Sequence, residues 1–125
     1  MKANFSYVGI RVKDLDRSID FYTKLLGMDV KRRSKIKETK GEIAELQSGD
    51  RRFTLELNYY ETDSPYDTPY VVGEGLDHLA FDVEDLVEAI EEAKSAGYRV
   101  VLELKTEKSR WAYVEDPNGI WIELQ

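Results

Sequence analysis

The sequence predicts an α+β fold of two βαβββ modules, packed side by side so that their sheets curve around a common cleft. Three observations predict it. Tyr7–Leu15 is answered by His78–Leu86 at an offset of 71 residues, kept at Val12/Val83, Asp14/Asp85, Leu15/Leu86 and Ile19/Ile90. Each copy then runs an amphipathic stretch into a glycine, Gly27 or Gly97. Each also ends in a similar strand, Phe53–Leu57 or Trp121–Leu124, with a glutamate at the same place, Glu56 or Glu123.

Phe5–Val12 is rich in aromatic and β-branched residues and reads as a strand. Asp14 is a helix cap, followed by apolar residues at Leu15, Ile19, Tyr22, Leu25 and Leu26 in helical spacing. Gly27 ends the helix with the residue best suited to a left-handed C′ position. Strands follow at 28–36 and 41–46, and the turn Ser48-Gly49-Asp50 leads into a third at 53–59. Residues 61–74 hold two prolines and a glycine among polar residues, so they separate a first module, 1–60, from a second, 75–125. This linker is a cover, a strap or an ordinary connector. In the second module, Leu76–Val83 is a strand and Asp85 the cap. Leu86, Ile90, Ala93 and Ala96 form the buried stripe of a helix stopped by Gly97. Strands at 98–104, 111–114 and 120–124 complete it, the last two joined by the turn Asp116-Pro117-Asn118-Gly119.

Length and composition fit one soluble globular domain of 125 residues, with 42 % apolar and 34 % charged residues. A net charge of −7 argues against nucleic acid, which needs a concentrated basic face. The one basic run, Lys31-Arg32-Arg33 with Lys35 and Lys37, fits a solvated strand better than a phosphate groove. With no cysteine, thiolate sites and disulfides are excluded. No stretch approaches membrane-spanning length and no signal peptide is evident, so the cytoplasm is the expected compartment.

Strand alternation selects the candidate site. Glu56 shares a face with Thr54, against Phe53, Leu55 and Leu57. Glu123 shares one with Trp121, against Ile120, Ile122 and Leu124. His78, the only histidine, lies on the less apolar side of its strand with Ala80 and Asp82. A solvated strand face gives the same pattern for one glutamate, but two at matching repeat positions point equally to a cleft. One imidazole and two carboxylates suit a nitrogen/oxygen site for Zn²⁺, Ni²⁺, Co²⁺, Mn²⁺ or Fe²⁺. Tyr7 stands where the repeat has His78. Trp121 is the better pocket residue of the two tryptophans, while Tyr59, Tyr60, Tyr66 and Tyr70 line either a substrate mouth or a packing seam.

These stretches resemble the vicinal oxygen chelate superfamily and, within it, glyoxalase I (lactoylglutathione lyase). The resemblance is carried by Val8–Tyr22, Leu25–Met28, Phe53–Leu57, Leu76–Val83 and Asp116–Leu124, nearly the whole chain. It implies the family's glyoxalase/bleomycin-resistance-type fold and a metal held from four strand positions, here Tyr7, Glu56, His78 and Glu123. It also implies Glu123 as catalytic base, with Tyr7 beside it, and Arg11 as the residue meeting the carboxylate of the glutathione moiety. Tyr60 falls where the family has a substrate-contacting asparagine. The implied reaction isomerises a 2-oxoaldehyde–thiol hemithioacetal to a 2-hydroxyacyl thioester. The superfamily also holds epimerases, thiol transferases and non-catalytic binding proteins, the alternative readings. A small-molecule substrate and a homodimer are the expected partners, since half-barrel edges need cover.

Overall fold

Asp14 and Asp85 each start a helix by accepting hydrogen bonds from backbone N–H groups that no turn precedes. Asp14 takes that of Arg17 at 3.0 Å; Asp85 takes those of Val87 and Glu88 at 2.9 and 3.0 Å. Both helices stop at glycines with positive φ, Gly27 at 67° and Gly97 at 86°. The fold is that of a computed structural model, which describes residues 2, 6–74, 76, 78–105 and 110–125. Two compact units result, Met1–Tyr70 and Val71–Gln125.

The first unit runs β1 (Val8–Arg11), α1 (Leu15–Asp20), a π-helical turn (Phe21–Leu25), β2 (Asp29–Ile36), β3 (Gly41–Gln47) and β4 (Thr54–Tyr60). Its sheet has the order β1-β4-β3-β2. β1 lies parallel to β4; the other pairs are antiparallel. The helix packs on β3 and β4. Its buried residues are Leu15, Ser18, Phe21 and Tyr22, whereas the expected Ile19, Leu25 and Leu26 are only half-buried. For Leu25 and Leu26 the π turn is the reason, because its wider spacing rotates the apolar stripe away from a uniform 3.6-residue period. Phe21, Tyr22, Leu46 and Leu57 are fully enclosed, each worth about 1.5–3 kcal/mol of apolar burial.

The second unit runs β5 (His78–Phe81), α2 (Leu86–Ser95), β6 (Val100–Lys105), β7 (Arg110–Glu115) and β8 (Trp121–Leu124). The order β5-β8-β7-β6 repeats that of the first, again with the first and last strands parallel. Helix α2 packs on β6 and β7 and buries Ile90 and Ala93, while Leu86 is half-buried and Ala96 exposed. Ala112, Val114, Ile122 and Leu124 form the buried face of the sheet.

The expected curved sheet around a cleft does not form. The strands make two separate, open, mixed four-stranded sheets that are not curled. Curling needs repeated bulges or a closing strand. Each sheet has one register irregularity, at Val30/Arg32 or Val100/Leu102, and both lie in the outermost antiparallel pair. Strand ends also differ from expectation. The first strand begins at Val8, leaving Tyr7 before it, and Phe5 lies outside the described residues. Phe53 precedes β4 and is 63 % exposed, so it belongs to neither face. The basic run lies on β2, an exposed edge strand, where Arg32 pairs with Glu45 and Arg33 with Glu42 and Asp16.

Candidate functional site

Parallel pairing sets the positions. In the first unit Gly9 faces Glu56 across β1 and β4; in the second, Ala80 faces Glu123 across β5 and β8. Each glutamate thus has the smallest available neighbour on the strand beside it. Two residues earlier on the same face of the second pair stands His78, in register with Trp121. Its Nε2 lies 3.0 Å from Glu123 Oε2. Glu123 is largely enclosed, with 15 % of its side chain exposed, against 34 % for His78.

Tyr113, which the sequence reading did not single out, completes this cluster. It faces Glu123 across β7 and β8, and its hydroxyl donates to Glu123 Oε2 at 3.1 Å. Its ring meets the His78 imidazole edge-on at 5.6 Å and lies 5.4 Å from Trp121. The available signal was alternation along β7, which puts Tyr113 on the face opposite Ala112 and Val114. Trp121 shares the Glu123 face and is 41 % exposed, so it offers an aromatic surface beside the carboxylate. The turn ahead of it is rigid: buried Asp116 accepts from the backbone N–H groups of Asn118 and Ile120, both at 2.8 Å, and from the Asn118 side chain at 2.9 Å.

In the first unit, a side chain at Gly9 would come within 3.3 Å of the Asn58 amide and 4.0 Å of both Glu56 Oε1 and the Tyr7 ring. The missing side chain therefore leaves a hollow bordered by Glu56, Asn58 and Tyr7, a cradle open to a bound group. Glu56 is half-buried, and Tyr7 is 50 % exposed. Glu45 lies directly opposite Glu56 on β3, and Arg32 neutralises it at 2.7 Å.

Arg11, on the same face two residues beyond Gly9, is already engaged. One terminal nitrogen pairs with Asp67 at 2.6 Å; the other donates to the Thr68 carbonyl at 2.6 Å and hydroxyl at 3.2 Å. The segment that brings Asp67 is pinned along its length. Lys40 binds Asp63 at 2.5 Å and, by that hydrogen bond, holds its carboxyl below the ordinary range. Ser64 donates to the Thr39 carbonyl at 2.6 Å, and the Tyr66 ring lies against Tyr60 at 5.7 Å.

Donor chemistry fits a divalent cation: an imidazole nitrogen and a carboxylate oxygen meet at His78 and Glu123, and a second carboxylate borders the Gly9 hollow. Among the described residues, however, no three histidine, aspartate or glutamate side chains gather as a metal cluster.

A βαβββ repeat with matched glutamates on its parallel strand pairs defines a class. The chain belongs to the Glyoxalase/Bleomycin resistance protein/Dioxygenase superfamily, whose family model matches residues 4–124, and it is glyoxalase I-like within it. It is 37 % identical, over 98 % of its length, to a probable chloroplastic lactoylglutathione lyase of Arabidopsis thaliana, of which it spans 35 %. The chain thus spans less than half the length of these plant relatives. It is 38 % identical to the lactoylglutathione lyase of Escherichia coli O157:H7, over 92 % of this chain and 86 % of that protein. Among solved structures, the trypanothione-dependent glyoxalase I of Leishmania major superposes with a TM-score of 0.78 at 34 % identity, covering 98 % of this chain and 86 % of that one. Among the described residues, no helix is long and apolar enough to cross a membrane.

Proposed function

We propose that the protein is a metal-dependent lyase of glyoxalase I type, converting a 2-oxoaldehyde–thiol hemithioacetal to a 2-hydroxyacyl thioester. The observation that carries this reading is the His78–Glu123 pair, an imidazole and an enclosed carboxylate 3.0 Å apart on the face that α2 does not cover. The proposed ligands of a divalent cation are His78, Glu123 and Glu56, with Tyr7 as the fourth group. When bound, such an ion polarises the substrate oxygens and so acidifies the neighbouring C–H.

The chain's own residues do the rest. Glu123 removes the proton from the carbon bearing sulfur and returns it to the adjacent carbon. The isomerisation is redox-neutral and needs no other reactant. Tyr113 donates to one oxygen of this carboxylate and so fixes its position. Tyr7, a phenol where the repeat has an imidazole, serves better as a hydrogen-bond donor to substrate than as a ligand. Trp121, Tyr60 and Arg11 are the proposed substrate contacts. A homodimer in the cytoplasm completes the reading.

The test is metal analysis of protein purified without chelator, with turnover of methylglyoxal–thiol adducts on Zn²⁺-, Ni²⁺- and Co²⁺-loaded samples. Glu123→Gln is expected to lower kcat by about 10²-fold or more, and Tyr7→His to tighten metal binding. Full activity in Glu123→Gln would remove it from the role of base. A second reading, non-catalytic small-molecule binding, draws on the exposed Trp121 beside Tyr113. Ligand binding without turnover on any metal would establish it.

A further inference from the structure

We propose that Asn118–Gly119 is a masked modification site, an asparagine–glycine bond primed to deamidate and kept intact by Asp116. Its chemistry is separate from that of the proposed lyase. Asparagine followed by glycine is the pairing that loses ammonia most readily, because no side chain shields the glycine nitrogen. The sequence has one such pair. The Gly119 amide nitrogen gives up its proton and bonds to Asn118 Cγ, and the side-chain nitrogen leaves as ammonia. Water then opens the cyclic imide to aspartate or to isoaspartate, with no change in oxidation state. The glycine is not dispensable: its φ is 85°, and a Cβ there would lie 3.1 Å from Val72 Cγ1. The turn thus retains the residue that makes its asparagine reactive.

The folded turn holds both reacting groups away from the reaction. Asn118 is fully buried, and its side-chain nitrogen donates to Asp116 Oδ2 at 2.9 Å. The attacking Gly119 nitrogen donates to the Asp116 carbonyl at 3.0 Å. The Asp116 N–H meets the Ile120 carbonyl at 2.9 Å, and the N–H groups of Asn118 and Ile120 return to Asp116 Oδ1, both at 2.8 Å. Ring closure requires the Asn118 amide to leave Asp116 and swing onto the Gly119 nitrogen. Deamidation therefore waits on local opening, and its rate falls in proportion to the population of the open turn. Isoaspartate carries the main chain through the former side-chain carbon, adding a backbone atom just ahead of β8, which starts at Trp121. An insertion there conflicts with the Asp116–Ile120 pairing that closes the turn. Opening thus leaves a one-way mark, and it falls beside the strand that carries Glu123.

The test is peptide mapping by mass spectrometry of the full chain incubated in mildly alkaline buffer, folded and in urea, with isoaspartate read by enzymatic methylation. Asn118 is expected to deamidate in urea, and at least about tenfold more slowly when folded. Asp116→Asn keeps the shape of the side chain, and the peptide bond after it cannot react, since Pro117 has no N–H. This variant is expected to raise the folded rate by about tenfold. Asp85→Ala removes the cap of α2 and leaves the turn untouched, so it reads the contribution of general unfolding. Under conditions where both variants stay folded, it is expected to match the wild type. Equal rates for folded and unfolded wild type overturn the inference, as do no acceleration in Asp116→Asn and an equal one in Asp85→Ala. Should Asp116→Asn not fold, hydrogen exchange of the wild-type Gly119 amide gives the opening equilibrium. A deamidation rate that fails to scale with it across urea concentrations overturns the inference. The isoaspartyl form, isolated by chromatography, is expected to melt below the wild type. An unchanged Tm shows that the turn recloses and overturns the one-way mark.

Discussion

Glu123 Oε2 is approached by two groups at once, the His78 imidazole nitrogen at 3.0 Å and the donating Tyr113 hydroxyl at 3.1 Å. If His78 turns its nitrogen to a metal, Tyr113 remains as the group fixing the carboxylate. Tyr113→Phe keeps the ring contacts with His78 and Trp121 and removes only this hydrogen bond. One such bond to a charged acceptor is worth about 1.5–3 kcal/mol, so kcat is expected to fall by roughly tenfold or more while KM changes little. A parallel loss of thermal stability with unchanged kcat per folded molecule would make Tyr113 merely structural. At this scale sequence legibility was uneven. Strand parity marks the Glu123 face, and the lone histidine draws attention to itself. Tyr113 passes unnoticed because one tyrosine among eight carries no signal until β7 and β8 are in register. Arg11 could be seen as a candidate, but its pairing with Asp67 spans 56 positions and no local pattern reports it.

The elements that aim these residues are short, so their turns matter more than their lengths. β8 has four residues and enters from the Asp116–Gly119 turn, whose buried carboxylate accepts from the backbone of Asn118 and Ile120 and from the Asn118 side chain. Asp116→Ala removes the hydrogen bonds that the Asn118 and Ile120 backbone N–H groups make to this carboxylate, and is expected to cost about 1–3 kcal/mol where water cannot replace it. A urea midpoint unchanged from the wild type would show that water does. This turn was readable from Asp-Pro-Asn-Gly alone, as were both helix caps, since aspartate and glycine act within their own few residues. The π turn at Phe21–Leu25 was not readable. A helical period fits the same residues until packing against β3 and β4 decides which of them go inside.

For the whole molecule, the repeat gave the two-module plan because it preserves the order of elements as well as residue types. Sheet curvature does not repeat in that way. It depends on where extra residues bulge a strand, and among the described residues each sheet carries a single irregularity, at the outer pair. A metal that binds only the folded chain stabilises all of it, by about 2.7 kcal/mol at a concentration a hundred times Kd. For a chain of this size, Zn²⁺ or Ni²⁺ is therefore expected to raise Tm on the order of 10 °C. Scanning fluorimetry reads this directly. An equal rise in His78→Ala would show that the ion binds elsewhere.

The parallel pairing of first and last strands has one more consequence. Gly9 and Glu56 become neighbours only after the helix and two intervening strands have been laid down, and Ala80 and Glu123 likewise. Contacts so distant along the chain close late, since loop entropy is spent before they form. The carboxylates therefore gain their small-residue neighbours only through contacts distant along the chain. A fragment that ends before β4 or β8 therefore lacks these neighbours, whatever hairpins it retains.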